Sequence, residues 1–361
     1  MNVSARLEKF HSCANASHVL VLRREDIRWL TGFTGGTAQL VVNRAGKTSH
    51  LLVDGRYAER AEDELRRVQS PTEVVVVGGA HTLVDTLKTL VGNEISVDHQ
   101  HITAARMRDL AEMFHVVDES GHFDRLRRIK DGHEIALMSK AASIADQALQ
   151  HVVNEGLLGD TEKQIRNRLD AAMREFGADT VSFDTIVATG PNGARPHHEP
   201  SDTIVEEGHG VVIDMGAEVD GYRSDMTRTI QVGQWSAEYA EMYRLVREAQ
   251  LSGVNMVRAG VEGSAIDAAV REVYRHADVE HEYIHGTGHG VGLFIHEEPI
   301  LSPRCQAVLS ENEVVTVEPG LYRKGVGGVR IEDQVVVTGT QCRILTLSPK
   351  ELSCPRSQRT I

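Results

Sequence analysis

Short apolar runs punctuate the first third of the chain: HVLVL at 18–22, AQLVV at 38–42, HLLVD at 50–54, EVVVV at 73–77 and EISVD at 94–98. Runs this short, rich in β-branched residues and bounded by polar turns, predict strands. Between them, residues 57–65, 81–91 and 103–114 repeat their apolar positions every three or four residues, as in Leu83, Leu87 and Leu90, and predict helices. Strand and helix in alternation predict an α/β layer domain. The polar, basic stretch 119–131 has turn signals at both ends and predicts a connection, which divides the chain into domains 1–122 and 123–361.

Beyond residue 134 the pattern lengthens. Ile135, Met138, Ala142, Ala145, Leu149 and Val152 form one face of a long helix, and Asp160 followed by Gln164 predicts the cap of a second helix running to about residue 176. A segment with His197 and His198 comes next, then VVIDMG (211–216), an Asp220-Gly221 turn and SDMTRTIQV (224–232), the pattern of a β-hairpin. The same order then repeats, with helices at about 237–258 and 264–275, a histidine-rich run at 281–296, and strands VVTVEPG (314–320) and GVRIEDQVVV (328–337). The repeat predicts a pseudo-twofold domain whose acid pairs, Asp214 with Asp225 and Glu318 with Glu332, face one cleft.

Charge narrows the partners. Thirty-nine Lys and Arg against 52 Asp and Glu give −13, a surface that repels phosphate backbones, so no nucleic-acid partner is expected. No apolar stretch is long enough for a membrane span and the N-terminus lacks a basic-then-apolar leader, so a cytoplasmic protein is expected. The 4 cysteines are far apart and form no CxxC, which argues against a zinc knuckle or a disulfide framework. Histidine, with 18 residues, is the unusual count.

Asp214, Asp225, Glu318 and Glu332 lie in apolar runs, where an unpaired carboxylate costs several kcal/mol. Arg223, Arg228 and Arg330 are close enough in sequence to neutralise them by ion pairs. Two divalent cations near His289 would also balance four carboxylates, and oxygen-rich ligation with one imidazole suits Mn²⁺, Co²⁺, Fe²⁺ or Zn²⁺. A competing signal is HEYIH at 281–285, an HExxH match in which His281 and His285 would hold zinc with Glu282 as base. Position 291, where the longer motif wants a third histidine, is Val291, and Gly286, Gly288, Gly290 and Gly292 oppose a continuing helix. The glycines complete no GxGxxG, and no GxxxxGK[ST] is present, so nucleotide binding has little support.

Taken together, VVIDMGAEVDGYRSDMTRT, HGTGHGVGLFIHEEP, TVEPGLY and GVRIED, in that order, resemble the pita-bread metallopeptidases that include Xaa-Pro aminopeptidase, Xaa-Pro dipeptidase and methionine aminopeptidase. WLTGFTGG (29–36) and LLVDGRYAERA (51–61) resemble the creatinase-like N-terminal domain of the proline-specific members, which disfavours methionine aminopeptidase. The resemblance implies an α/β (α+β) fold, with a creatinase-like α/β domain leading into a pita-bread catalytic domain. It implies Asp214, Asp225, His289, Glu318 and Glu332 as ligands of two divalent ions, with manganese the expected metal. Glu318 would also be the proton carrier, His197, His296 and Arg330 catalytic groups, and His285 a substrate contact. His197 is preferred to His198 because it directly follows Pro196. The implied reaction is hydrolysis of an N-terminal Xaa-Pro bond in short peptides by a homodimer. The alternatives are a non-catalytic pita-bread peptide-binding module, a metal-free creatinase-like hydrolase and the HExxH zinc protease. Phe183, Tyr222 and Phe294 are candidates for the wall against the proline ring.

Overall fold

The computed structural model describes residues 2–13, 16–78 and 82–354; His81, the first residue of the helix expected over 81–91, lies outside them. The chain forms two compact units, Met1–Arg127 and Arg128–Ile361.

In the first unit the five expected strands form, and His115–Asp118 adds a sixth. Their order across the sheet is Glu73–Val76, Thr48–Val53, Gln39–Asn43, His18–Val21, Glu94–Val97, His115–Asp118. Gln39–Asn43 runs antiparallel to both neighbours and the remaining pairs are parallel. Leu83–Val91 and Ala104–Ala111 are helices, capped by the hydroxyls of Thr82 and Thr103. Leu87 and Leu110 pack with Leu20, Val41, Leu52 and Ile95. Each such fully buried aliphatic side chain contributes about 1.5–3 kcal/mol.

The stretch 119–131, read from its polarity as a connection, contains the helix His122–Arg128. Phe123 stacks on Phe10 with ring centroids 4.8 Å apart, and Arg127 turns inward to pair with Asp26 and Asp124. A basic run thus has a buried face because acids from Arg24–Thr31 and its own helix neutralise it.

In the second unit, helix Gly132–Glu155 begins at an Asp131–Glu134 capping box. The next helix, Glu162–Glu175, is capped by Thr161 with Gln164 rather than by Asp160, whose carboxylate instead pairs with Arg168. Ala145, Leu149, Ile165 and Leu169 from these helices pack on Val187, Val211, Ile213 and Ile230. Those residues belong to a four-stranded sheet ordered Ser353–Cys354, Met226–Val232, Gly210–Met215, Ile186–Thr189. Helices Ala237–Met256 and Gly263–His276 precede a five-stranded sheet ordered Glu297–Leu301, Gly288–Gly290, Val314–Val317, Asp333–Val337, Cys342–Ile344.

Both halves therefore run two helices, then an outer strand pair enclosing an inner hairpin. Gly210–Met215 pairs with Met226–Val232 around the hairpin Ala217–Val219/Tyr222–Arg223. Val314–Val317 pairs with Asp333–Val337 around Gly320–Arg323/Gly327–Arg330. The Asp220-Gly221 turn has φ of 48° and 75°, the left-handed pair whose twist suits a two-residue hairpin. The runs expected as single strands at 314–320 and 328–337 are each broken, at Glu318 and Pro319 and again at Ile331 and Glu332. Proline has no N–H to continue the ladder. At the breaks the acids' own amides find other partners: Glu318 N donates to Thr287 O at 2.8 Å and Glu332 N to Thr227 O at 3.1 Å.

Candidate active site

The breaks and hairpin ends of the two halves converge on a cavity of about 470 Å³. Its wall includes all nine residues singled out from the sequence: His197, Asp214, Asp225, His285, His289, His296, Glu318, Arg330 and Glu332. Asp214 lies in strand Gly210–Met215, Asp225 just before Met226–Val232, and His289 in Gly288–Gly290. Close packing of backbone fixes this arrangement; a Cβ on Gly216 would sit 1.9 Å from Ser224 O.

Of the three arginines that could have neutralised the acids, one does so. Arg223 pairs with Glu218 and Arg228 with Asp333, whereas Arg330 Nη2 donates to Asp214 Oδ2 at 2.7 Å. No Lys or Arg among the described residues pairs with Asp225, Glu318 or Glu332; the His289 imidazole stands beside the first two, with Nε2 at 3.5 Å and 3.4 Å. Ligand atoms of Asp225, His289 and Glu332 all lie within 4.8 Å of one another. Burial pushes the Asp225 carboxyl well above the usual range, and the neighbouring Glu332, Asp214 and Glu318 add to it. Burial, then Glu318 and Asp214, do the same to Glu332. Glu318 is pushed up to about 7, by burial and by Asp214, against the opposing pull of Arg330.

The histidines take different parts. His289 Nδ1 faces Gly290 O at 3.0 Å; donation there leaves the Nε2 lone pair toward the acids. Burial lowers its pKa. The His296 ring stands 4.4 Å from that of His289, at the open side of the cavity. Of the adjacent pair, His197 lines the cavity, and His198 turns away to bond Glu162 Oε2 at 2.8 Å. His285 has both ring nitrogens engaged, Nδ1 with Gly286 O at 2.8 Å and Nε2 with the Tyr322 hydroxyl at 2.9 Å. Burial beside Arg330 lowers its pKa to about 4, so it is neutral at pH 7.

Three hydroxyls escaped the sequence reading. Tyr322 OH lies between His285 and Arg330 Nη1, the latter at 3.0 Å. Thr227 Oγ1 donates to Glu332 Oε2 at 2.7 Å and accepts from Arg330 Nε at 3.0 Å, and Thr316 Oγ1 accepts from His289 N at 3.0 Å. The signal for Tyr322 was its place in TVEPGLY, opposite Gly328, where the absent side chain leaves room for a ring.

HEYIH does not form a zinc helix. Glu280–Glu282 is a single 3₁₀ turn, Tyr283 is extended, Glu282 is held by Arg323 at 2.9 Å, and His281 is exposed. Of the three aromatic candidates for a proline wall, Phe183 lines the cavity, joined by Ile186, Ile295 and Ile300. Tyr222 is buried elsewhere, donating to Glu134 Oε1 at 2.8 Å, and Phe294 is not part of the wall. A second group, Asp98, His101 and Asp124, also brings ligand atoms together, but Arg23 and Arg127 already neutralise Asp124.

Residues 136–339 match Metallopeptidase family M24, and residues 4–129 match the Creatinase/Prolidase N-terminal domain. The chain belongs to metallopeptidase family M24. The peptidase is 36% identical over 339 residues to the uncharacterized peptidase YqhT of Bacillus subtilis, covering 92% of this chain and 94% of that protein. It is 35% identical over 309 residues to a Xaa-Pro dipeptidase of Pyrococcus furiosus, covering 84% and 88%. Among solved structures it resembles a Xaa-Pro dipeptidase from Bacillus anthracis, with TM-score 0.91, 35% identity and coverage of 97% and 98%. An X-Pro aminopeptidase from Thermotoga maritima MSB8 gives TM-score 0.89 and 33% identity, with coverage of 96% and 99%. Family membership accounts for the crowded carboxylates, since M24 peptidases use divalent metal ions.

Proposed function

We propose that the peptidase hydrolyses the N-terminal Xaa-Pro bond of short peptides, using two divalent ions, manganese by preference, held by Asp214, Asp225, His289, Glu318 and Glu332. One observation carries the reading: buried acids share a site with a correctly oriented imidazole, and a single arginine is there to balance them. The donor set fits the ions. Asp214 Oδ1 is buried without a hydrogen-bond partner. His289 Nε2 stands 3.4 Å and 3.5 Å from carboxylate oxygens, near the roughly 3.0–3.4 Å that separates two atoms each about 2.1 Å from one ion. When bound, two such ions polarise the scissile carbonyl and make a water acidic enough to attack near neutral pH.

The chain's own groups do the rest. Glu318, on the cavity wall beside His289, accepts the proton from the attacking water and delivers it to the departing proline nitrogen. His197 and His296, on the cavity wall, donate to the carbonyl oxygen as charge develops. Arg330 holds Asp214 directly and Glu332 through Thr227, fixing acids from both halves. His285, neutral and tied to Tyr322, offers its ring as a contact for the substrate. Phe183 and Ile186 give the proline ring, which has no N–H to satisfy, an apolar surface. In this reading the first unit, residues 1–127, is the front domain, and the second, residues 128–361, is the catalytic domain of a cytoplasmic homodimer. Cys13, Cys305, Cys342 and Cys354 form no disulfide with one another, which agrees with a reducing compartment.

The test is the ratio of kcat/KM for Leu-Pro-Gly and Leu-Ala-Gly with added Mn²⁺, expected to be at least about tenfold. In the same assay His296→Ala should retain its metal and lose kcat by about 10²-fold. Equal rates on the two peptides would refute proline selectivity. An unchanged His296→Ala would remove that residue from the chemistry.

A further inference from the structure

Dipeptidases and aminopeptidases of this kind break the same bond and differ in the group that the proline carbonyl carbon bears. In a dipeptide the proline ends in a free carboxylate; in a longer peptide the same carbon is a neutral amide. A site for the first needs a cation or a set of free donors a few ångströms beyond the scissile bond, and a site for the second does not.

Among the described residues outside the proposed ion ligands, the charged side chains on the cavity wall are Asp184 and Arg330, and the wall histidines His197 and His296 are assigned to the scissile carbonyl and His285 to Tyr322. Arg330 is committed: its three nitrogens bond Thr227, Tyr322, Pro196 O and Asp214. Four ligand carboxylates balance two divalent ions, Arg330 is engaged by Asp214, and Asp184 adds a further negative charge, so the wall has no positive charge in excess. Asp184 is exposed, and any anion entering the cavity meets it.

The wall beside the ligands is hydrocarbon. Ile300 pairs in register with His289 across neighbouring strands, and Ile186 pairs with Asp214 in the other half. Paired residues in adjacent strands project to the same face, so each isoleucine stands beside a proposed ligand. Ile300 is 43% exposed and lines the cavity, and Ile295 extends the same apolar surface. A carboxylate set against these groups would lose its hydration and gain no partner, whereas an amide carries no charge to strand.

We propose that the peptidase acts on peptides of three or more residues, and that Ile300 is the position that disfavours a dipeptide's terminal carboxylate. This rests on the Xaa-Pro assignment and names the substrate length which that assignment leaves open.

The experiment compares Leu-Pro, Leu-Pro-amide and Leu-Pro-Gly on the Mn²⁺-loaded enzyme. Leu-Pro-amide has the length of the dipeptide without its charge. The expected result is kcat/KM at least about tenfold higher for the amide and the tripeptide than for Leu-Pro, mainly through KM. Ile300→Arg should raise kcat/KM for Leu-Pro relative to that for Leu-Pro-amide by about tenfold, narrowing the ratio between the two substrates. Equal rates on all three substrates would overturn the proposal, as would an amide handled as poorly as the free dipeptide. If Leu-Ala-Gly is cleaved as fast as Leu-Pro-Gly, the proline reading falls, and the same comparison of Leu-Ala with Leu-Ala-amide then decides the length preference separately.

Discussion

Glu332 and Asp333 are neighbours in sequence and both buried, yet one faces carboxylates and the other cations. Asp333 Oδ1 accepts from Arg228 at 2.8 Å and from Thr346 at 3.2 Å, and its Oδ2 accepts from Gln250 at 2.8 Å and from Lys350. Burial alone would raise its pKa, but Arg228 and Lys350 outweigh that and hold the carboxyl below the usual range. Glu332, in the break just before that strand, has one Thr227 hydroxyl and the company of Glu318 and Asp214. The fold can neutralise a buried acid with its own side chains and does so one residue away. Crowding at the cavity is therefore a property of the site, and family membership says what relieves it.

The comparison is broken most sharply by matched substitutions. Asp225→Asn should remove bound metal and lower kcat beyond the roughly 10–100-fold that a lost supporting partner costs, while the metal-free protein melts no lower, and at neutral pH higher, because a buried carboxylate crowded by other acids is gone. Asp333→Asn should do the reverse, lowering stability by about 3–5 kcal/mol because Arg228 is left buried without its counterion, with metal content per folded molecule unchanged. Metal analysis and thermal melts on the two proteins check both; a stable, metal-replete, active Asp225→Asn enzyme would sink the assignment.

A smaller effect lies in pH. For Asp225, Glu318 and Glu332 the folded pKa is raised, so with metal removed the unfolded chain ionises first as pH rises and the folded state loses stability. For Glu318 the window runs from its ordinary 4.5 to about 7. Asp333, with its pKa lowered, has the opposite sign, losing its contribution as pH falls below its ordinary 3.8. The gain in melting temperature on adding Mn²⁺ should therefore grow between pH 4.5 and 7, since bound cations relieve the acids that protons relieve at low pH. A metal-dependent gain that is flat across this range would contradict it. The smallest effect is expected from Glu282→Gln, the would-be base of HEYIH. It breaks a partly exposed ion pair with Arg323, a change worth roughly 0–1 kcal/mol, and kcat should stay within about twofold.

Much of the site was legible because the acids interrupt apolar runs and the motifs around them are long. Asp214 and Asp225 announce themselves within VVIDMGAEVDGYRSDM, and Gly-flanked His289 within HGTGHGVG. What sequence could not show is direction. Arg228 and Arg330 look equally suited to neutralise the cluster, and only the folded strands show that Arg330 reaches the cavity and Arg228 reaches Asp333. His197 and His198 differ by one position in a turn, and Glu162, on the preceding helix, claims the second. Hydroxyls such as those of Thr227 and Tyr322 carry no charge pattern, so their use depends on what the fold sets beside them. Polarity misled at 119–131, where Arg127 is buried against Asp26, 101 residues earlier in the chain.

The division of the proposed ligands between two halves bears on how the enzyme would acquire the right metal. Thr227 and the Glu332 it supports are 105 residues apart, so the donors assemble only after both strand systems have folded around their hairpins. A growing polypeptide on the ribosome offers isolated carboxylates and imidazoles, which would follow the intrinsic ranking of first-row ions and favour copper and zinc. Sheets that fix the donors at set separations make geometry part of the selection. Metallation is then a late step, governed by which ions are available to the completed fold.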